Sequence, residues 1–322
     1  MAKRLARGGF GSVVLVTLFV QAVGVFGQSG DMQLLAPGLL RQAGLRQVWQ
    51  VKLPIEKGEC LEQLFILGNR LYALSDRNYM VSMNRDDGGV VFARQVAPQG
   101  LPVVGWDLFG DELYSLVGNK FVTIDPKTGR RLVERCIRLG TSCPATRNST
   151  YFYIACGDQR VHVYRVEDRV KLFEVASPAG ATITSILATE NMVVFGNTAG
   201  HVVSFTPSEP KKLWSFKAGG RVVGPMVIDA NSLFFAGGDT NIYRLDLLTG
   251  RLVWKCPAGG VLSQPPRVTE QVVYQKVFAH GLVAVDKAEG KLLWELPGGV
   301  ELLAEAAGTA YEMTGEQKLV VM

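Results

Sequence analysis

Residues 243–254 read Tyr-Arg-Leu-Asp-Leu-Leu-Thr-Gly-Arg-Leu-Val-Trp, and this stretch indicates the architecture of the whole chain. It predicts a strand, a tight turn at residues 247–250 and a second strand ending on a large aromatic residue, because glycine reaches positive φ without a Cβ clash. Similar phrases occur at residues 285–294 and, with valine as the last residue, at residues 124–133. Strand signals that return at a fixed interval predict a repeat architecture.

The large apolar residue that ends the phrase recurs along the chain. Its seven positions are Trp49, Phe92, Val133, Phe173, Trp214, Trp254 and Trp294, spaced by 43, 41, 40, 41, 40 and 40 residues. Seven β-rich segments, most of them followed by turn residues, run alongside at 71–75, 113–117, 151–156, 192–195, 233–236, 272–275 and 310–313. These hairpin signals predict an all-β fold, a β-propeller of seven four-stranded antiparallel blades.

The two ends of the repeat array complement each other. The last repeat has no fourth strand at the C-terminus, whereas residues 47–53 form an alternating strand pattern that carries Trp49. We therefore predict that this N-terminal strand completes the last blade and closes the ring, which removes exposed sheet edges. A truncated sequence that has lost an eighth blade is the alternative. The propeller is predicted to span residues 45–322, after a linker at residues 28–44.

Residues 1–27 are predicted to be a secretory signal peptide. Lys3, Arg4 and Arg7 precede an apolar stretch at residues 11–26, and small or medium residues suit cleavage after Gly27. An uncleaved N-terminal anchor is the alternative, although the run is short for the roughly 20 residues that span a bilayer. We expect a periplasmic or otherwise extracytoplasmic protein without a spanning segment after cleavage. A lipid anchor on an N-terminal cysteine is not expected, because the first cysteine is Cys60.

Composition favours a folded chain and gives little support for nucleic-acid binding. The 322 residues are 48% hydrophobic and include 36 glycines, which suits a large core with many turns. The net charge is +5, and three of these charges belong to the signal segment. No Lys/Arg cluster flanked by aromatic residues follows, so a nucleic-acid partner is not predicted.

The motif Asp-x-x-Thr-Gly-x-x-x-Trp is intact at residues 246–254 and nearly so at residues 286–294. It resembles the repeat of the pyrroloquinoline-quinone-like (PQQ-like) β-propeller superfamily, and the resemblance covers roughly residues 45–322. The WD-type repeat, with its Gly-His and Trp-Asp pairs, does not match. The resemblance implies that the Trp and Thr-Gly elements dock neighbouring blades.

This superfamily has a catalytic and a non-catalytic branch. Its quinone-dependent dehydrogenases are typically longer and eight-bladed, with a vicinal cysteine pair and a calcium site; this chain has no Cys-Cys pair. The non-catalytic exported branch, typified by the eight-bladed lipoprotein BamB, agrees in signal, size and repeat type. The resemblance therefore implies a monomeric, non-catalytic scaffold that binds protein partners in the cell envelope, with outer-membrane protein assembly as the most specific form. The alternative is a propeller enzyme or quinone-binding oxidoreductase that uses the central channel.

No catalytic, cofactor-binding or metal-binding residues are predicted, and no cofactor is expected. His162, His201 and His280 fall at different offsets within their repeats, which favours partly exposed strand or turn residues over a three-histidine metal site. Asp76, Asp158 and Asp239 occupy hairpin turns at one end of the blades. They are read as turn residues, with a ring of acids near the channel as the alternative.

A cysteine pair, a glycosylation sequon and two loops lead to further predictions. Cys136 and Cys143 are either a disulfide across a loop or, like the other cysteines, buried apolar side chains. Residues 148–150 fit a glycosylation sequon. The predicted loops 86–89 and 106–112 are candidate partner contacts; Trp106 would be an interface anchor unless it packs into the sheet.

Four repeats have Asp or Asn eight residues, and Gly four residues, before the large apolar position, and two turns break this rule. Residues 165–173 have Arg165 and Arg169 at these positions, and residues 206–214 contain Pro207 and Pro210. We expect both turns to be built differently from the others.

Overall fold

The computed structural model describes residues 37–137, 139–306, 308–316 and 318–322, which form a seven-bladed antiparallel β-propeller. The predicted linker contains a short helix, α1 (Pro37–Gln42), and a 3-10 turn lies at Pro178–Gly180. Within these ranges, no helix has the length and apolarity needed to cross a membrane. The predicted signal peptide lies outside the described residues.

Each blade is a meander of consecutive antiparallel strands. Blades 1 to 3 contain β1 (Leu61–Leu67), β2 (Arg70–Ser75), β3 (Tyr79–Asn84), β4 (Val90–Gln95), β5 (Val103–Phe109), β6 (Glu112–Val117), β7 (Lys120–Ile124), β8 (Arg131–Cys136), β9 (Thr146–Arg147), β10 (Tyr151–Cys156), β11 (Arg160–Arg165) and β12 (Lys171–Ala176). Blades 4 and 5 contain β13 (Ile183–Ala188), β14 (Val193–Asn197), β15 (His201–Phe205), β16 (Lys212–Lys217), β17 (Val222–Asp229), β18 (Ser232–Gly237), β19 (Asn241–Asp246) and β20 (Leu252–Pro257). Blades 6 and 7 contain β21 (Arg267–Val268), β22 (Val272–Val277), β23 (Gly281–Asp286), β24 (Leu292–Pro297), β25 (Gly299–Ala306), β26 (Thr309–Thr314) and β27 (Leu319–Val321).

The up-and-down strand order separates two faces of the ring. The turns between second and third strands share one face, here called the lower face, with the segments that lead into each blade. The turns between third and fourth strands lie on the opposite, upper face. On the lower face, the second turn of every blade donates a backbone hydrogen bond to the incoming segment. The donor–acceptor pairs are Asp76–Cys60, Gly118–Pro102, Gly157–Gly140, Thr198–Thr182, Gly238–Arg221, Phe278–Val261 and Gly315–Gly298.

Neighbouring blades are joined by the large apolar residues of the fourth strands. The Trp254 indole donates to the Lys287 carbonyl of the next blade at 3.0 Å. A Cβ at Gly290 would lie 2.5 Å from Trp254 Cδ2, so only glycine lets the ring approach the turn this closely. Trp214 repeats the arrangement with Leu247 and Gly250. The docking role implied by the resemblance is thus confirmed at these junctions.

The prediction that an N-terminal strand completes blade 7 through β-sheet hydrogen bonds is wrong. Residues 45–54 join no β-ladder in the described chain, and blade 7 has three strands. The outer strand β27 has three residues, too few to pair with the seven-residue pattern. Trp49 nevertheless donates to the Arg85 carbonyl at 2.9 Å and covers Gly88 of blade 1. It therefore meets the next blade as Trp254 does.

The third-to-fourth turn has one backbone in five blades. The amide of its fifth residue donates to the carbonyl of its first, as Gly290 does to Asp286 at 2.8 Å. Arg169 makes the same bond to Arg165 at 3.0 Å with φ +60°, so the prediction of a different turn there is wrong. In blade 4 the prediction is confirmed: Pro210 has no N–H, and the Thr206 hydroxyl donates to the Glu209 carbonyl instead.

A β-bulge follows this turn in all six four-stranded blades. The ladder between the third and fourth strands skips one residue immediately before the large apolar position. The extra residues are Val91, Leu132, Leu172, Leu213, Val253 and Leu293, and all but the first are exposed. A bulge bends its strand and increases the local twist.

Candidate functional site: the lower face

An exposed aromatic residue marks blade 6 on the lower face. Phe278 lies in the turn between β22 and β23 with 67% of its surface exposed, and the adjoining Val261 is 56% exposed. The Phe278 amide donates to the Val261 carbonyl at 2.9 Å, and Ala279 next to it has φ +61°. We call Val261, Phe278 and Ala279 the blade 6 tip.

The equivalent positions of the other blades are not apolar in this way. Their hydrogen-bonded pairs consist of glycine, proline, threonine, cysteine, aspartate and arginine residues. The backbone bond is the same in all seven, so the fold does not require an aromatic side chain there. The sequence reasoning missed Phe278; an alignment of the seven second turns would have singled it out.

The three predicted turn carboxylates lie on the lower face as expected, each in a second turn. Asp76 accepts from the Cys60 amide at 3.0 Å. Asp239 accepts from the Tyr243 hydroxyl and from the Asn241 amide group, and burial, reinforced by this hydrogen bond, raises the pKa of Tyr243. The structure does not bring these acids together: within the described ranges, the one set of three potential ligands close enough to share a metal ion is Cys156, Asp158 and His162.

The three histidines differ in their surroundings. His280 is exposed in the blade 6 turn, as predicted. His201 is half-buried, and burial together with the nearby Lys217 lowers its pKa. His162 is buried, with Nε2 2.8 Å from Asp158 Oδ2, so the prediction of partial exposure is wrong for this residue. Its burial comes from the facing blade 2, which a local sequence pattern does not show.

The structure also tests the predictions for Trp106, for the loop at residues 86–89 and for the cysteines. Trp106 is buried in β5 and packs in the core between blades 1 and 2, so the predicted exposed loop at residues 106–112 is wrong. The prediction failed because Gly105, with φ +67°, introduces a bulge that breaks the alternation. The loop at residues 86–89 is confirmed, and its aspartates are exposed. All five cysteines are free; Cys143, Cys156 and Cys256 are buried, whereas Cys60 and Cys136 are exposed.

The glycosylation sequon is held inside the fold. Asn148 is buried, and its amide group donates to the Tyr153 hydroxyl at 3.2 Å and to the Thr189 carbonyl at 3.3 Å. Its Oδ1 accepts from the amides of Thr150 and Tyr151. A glycan on Asn148 would break this turn, so the folded protein does not present the sequon as an acceptor.

Comparison with known proteins agrees with the repeat analysis. A family model described as outer membrane protein assembly factor BamB matches residues 157–309. The crystal structure of BamB from Moraxella catarrhalis is similar, with a TM-score of 0.57 and 10% identity over 79% of each chain. A computationally designed protein, Ika8, has a TM-score of 0.55 and 12% identity, over 82% of this chain and 96% of its own.

At these identities the two solved structures show the shared fold alone. No curated protein sequence matches the chain. The family match includes the two blades in which the Asp-x-x-Thr-Gly-x-x-x-Trp motif is intact or nearly so, together with the two blades whose turns depart from it. The resemblance predicted from the repeats is thereby confirmed: the chain is a seven-bladed β-propeller that is similar to the BamB family over residues 157–309.

Proposed function

We propose that this protein is an exported, non-catalytic scaffold that binds a protein partner in the cell envelope through the blade 6 tip. Two observations support the setting: the predicted signal peptide and the similarity to a family described as an outer-membrane assembly factor. The most specific form of the proposal is that the partner belongs to the machinery that assembles outer-membrane proteins.

The observation that carries the proposal is the exposure of Phe278 at a position where the fold accepts glycine. Burying a phenylalanine side chain is worth about 1.5–3 kcal/mol, and this gain is left for a partner to realise. Aromatic residues are enriched at protein interfaces, whereas an isolated exposed aromatic in a tight turn adds nothing to the core.

The blade 6 tip is also preorganised for binding. Two backbone hydrogen bonds hold the turn. The Phe278 amide donates to the Val261 carbonyl, and the His280 amide donates to the Val277 carbonyl at 3.2 Å. A Cβ at Gly260 would lie 2.7 Å from Val277 Cγ1, so the incoming segment packs closely on the turn. A turn fixed before association loses little conformational entropy on binding.

A photo-cross-linking amino acid at position 278 tests the proposal in the native cell envelope. We expect a covalent product containing an outer-membrane assembly component. The matched control is position 248, because Leu248 is 59% exposed in the turn of blade 5 on the upper face. No product at 278, or the same product from both positions, would contradict the proposal.

A solution measurement then gives the strength of the contact. Phe278→Ala should weaken binding of the captured partner at least about 10-fold, as expected for an interface anchor. Leu248→Ala should leave the affinity unchanged, and both variants should keep the melting temperature of the wild type. A Phe278→Ala protein with wild-type affinity would exclude the blade 6 tip as the binding surface.

A further inference from the structure

The hairpin of β10 and β11 brings three potential metal ligands together on the side of blade 3 that faces blade 2. His162 pairs directly with Ile154, and Cys156 lies two residues further along β10 on the same side of the sheet. Asp158 comes from the turn that joins the strands. The ligand atoms of Cys156, Asp158 and His162 all lie within 4.8 Å of one another. We call these residues the blade 3 cluster.

Several features fit a bound cation better than simple packing. The His162 and Cys156 side chains are buried, whereas the Asp158 side chain is 30% exposed and gives access from solvent. Asp158 Oδ2 contacts His162, but its Oδ1 is buried and has no hydrogen-bond partner. An unpaired buried carboxylate oxygen carries a desolvation cost that a cation would offset.

A second carboxylate lies on the far side of the histidine ring. Glu174 on β12 pairs directly with His162, and its Oε2 is 3.9 Å from His162 Nδ1. Metal-binding histidines commonly direct their second ring nitrogen to a carboxylate, which fixes the ring and raises its basicity as a ligand. Arg160 and Lys171 both contact Glu174, so this carboxylate is itself held in place.

We propose that Cys156, Asp158 and His162 bind one zinc ion, with Glu174 as the positioning residue behind His162. Thiolate, imidazole and carboxylate together suit the borderline-soft Zn²⁺ better than Mg²⁺ or Ca²⁺, which prefer oxygen ligands. Tetrahedral zinc with bonds of about 2.0–2.3 Å places its ligand atoms about 3.3–3.7 Å apart. The ligand atoms of the blade 3 cluster all lie within 4.8 Å of one another, so small side-chain shifts bring them to this spacing. The fourth position faces the solvent-accessible side and takes water.

Charge balance also favours a divalent ion. When the ion binds, the thiol proton passes to solvent and a sulfur–zinc bond forms. The resulting thiolate and the Asp158 carboxylate together neutralise the two positive charges.

Cobalt(II) in place of zinc gives a direct test, because a cysteine ligand produces a thiolate-to-cobalt charge-transfer absorption. The experiment uses tag-free protein in which the exposed Cys60 and Cys136 are replaced by serine, so that surface thiols do not contribute. We expect one cobalt per chain, a tetrahedral visible spectrum with the charge-transfer band, and displacement by one equivalent of zinc. Absence of the charge-transfer band would overturn the proposal.

Single variants assign the ligands in that background. Cys156→Ser should abolish the charge-transfer band, whereas Cys256→Ser, a buried cysteine of blade 5, should retain it. Asp158→Asn lies in a partly exposed turn and should keep the fold while weakening cobalt binding at least about 10-fold; Glu174→Gln should weaken it by about 10–100-fold.

A thermal measurement guards against variants that fail to fold. Zinc should raise the melting temperature of the background protein, and this shift should vanish in Asp158→Asn. A charge-transfer band that survives in Cys156→Ser, or one that disappears only when Cys143 is replaced, would assign the ion to another site and overturn the proposal.

Discussion

Two junctions between blades have the same turn backbone, but the bulky side chain that fills the space comes from the strand at one junction and from the turn at the other. Between blades 5 and 6, a large residue on the fourth strand, Trp254, covers the turn glycine Gly290. Between blades 2 and 3, the strand position holds the smaller Val133 and the turn position holds Arg169. Both turns make the same hydrogen bond, and the two turn residues have φ values of +73° and +60°.

At the second junction the bulky group comes from the turn. The Arg169 guanidinium lies 4.6 Å from the centre of the Phe152 ring, and Glu112 lies 4.0 Å away. Arg147 stacks on the same ring at 4.6 Å and forms an ion pair with Glu112 at 2.7 Å. Stacking of arginine on an aromatic ring contributes roughly 0.5–2 kcal/mol when partly desolvated. The repeat therefore specifies a turn and a filled volume, and either neighbour can supply the volume.

The largest effect is expected from adding one methyl group at the glycine junction. Gly290→Ala forces alanine into the left-handed region and places its Cβ 2.5 Å from Trp254. Strain and overpacking together should lower the free energy of unfolding by about 3 kcal/mol. Gly259→Ala is the control, because Gly259 has φ +77° but nothing within 4 Å of its added Cβ. Equal losses in urea unfolding would show that Trp254 does not restrict the turn.

Introducing the Trp–Gly pair at the junction of blades 2 and 3 tests whether the two arrangements are equivalent. Val133→Trp alone should overpack the junction, and Arg169→Gly alone should lose the stacking on Phe152. The double variant recreates the Trp–Gly arrangement, so its loss of stability should be smaller than the sum of the single losses by about 1–2 kcal/mol. Additive losses in a double-mutant cycle would mean that the two positions do not share one volume.

A pH-dependent effect is expected at the junction of blades 6 and 7, where a carboxylate takes a buried position. Glu312 lies two residues after Ala310 on β26 and therefore on the same side of the sheet. Ala310 packs against Tyr274 of blade 6. Glu312 is fully buried, neither of its carboxylate oxygens has a hydrogen-bond partner, and burial raises its pKa to about 7. Folding therefore favours the protonated acid.

The sign of the pH dependence follows from this raised pKa. The unfolded chain loses the Glu312 proton near pH 4.3, so stability falls as pH rises from there to about 7 and is level above. Glu312→Gln should remove this fall, and it should be more stable than the wild type by about 2–3 kcal/mol at pH 8, because each pKa unit corresponds to about 1.4 kcal/mol. Unfolding curves at pH 5 and pH 8 give the difference; a variant that follows the wild type in parallel would contradict it.

Much of the fold was predictable because its determinants are local. The seven strand series and the turn glycines depend on alternation and on positive φ, both of which a sequence displays directly. The turn at Arg169 was not predictable, since nothing in an arginine signals a left-handed backbone. The burial of Trp106 and His162 depends on a bulge and on a facing blade, which are properties of the assembled ring. The blade 3 cluster lies within a single hairpin and was missed because the sequence reasoning considered only a site of three histidines.

The bulge beside each large apolar residue also determines how the protein meets other copies of itself. The fourth strands lie at the outer rim, and each is the unpaired edge of its sheet. A flat edge with exposed aliphatic residues such as Leu293 invites pairing with another chain. The extra residue bends and twists each rim strand, so two rims do not align into a continuous sheet. The rim of the six four-stranded blades is thus protected from edge-to-edge aggregation by the shape of its strands, although the bulge residues are apolar.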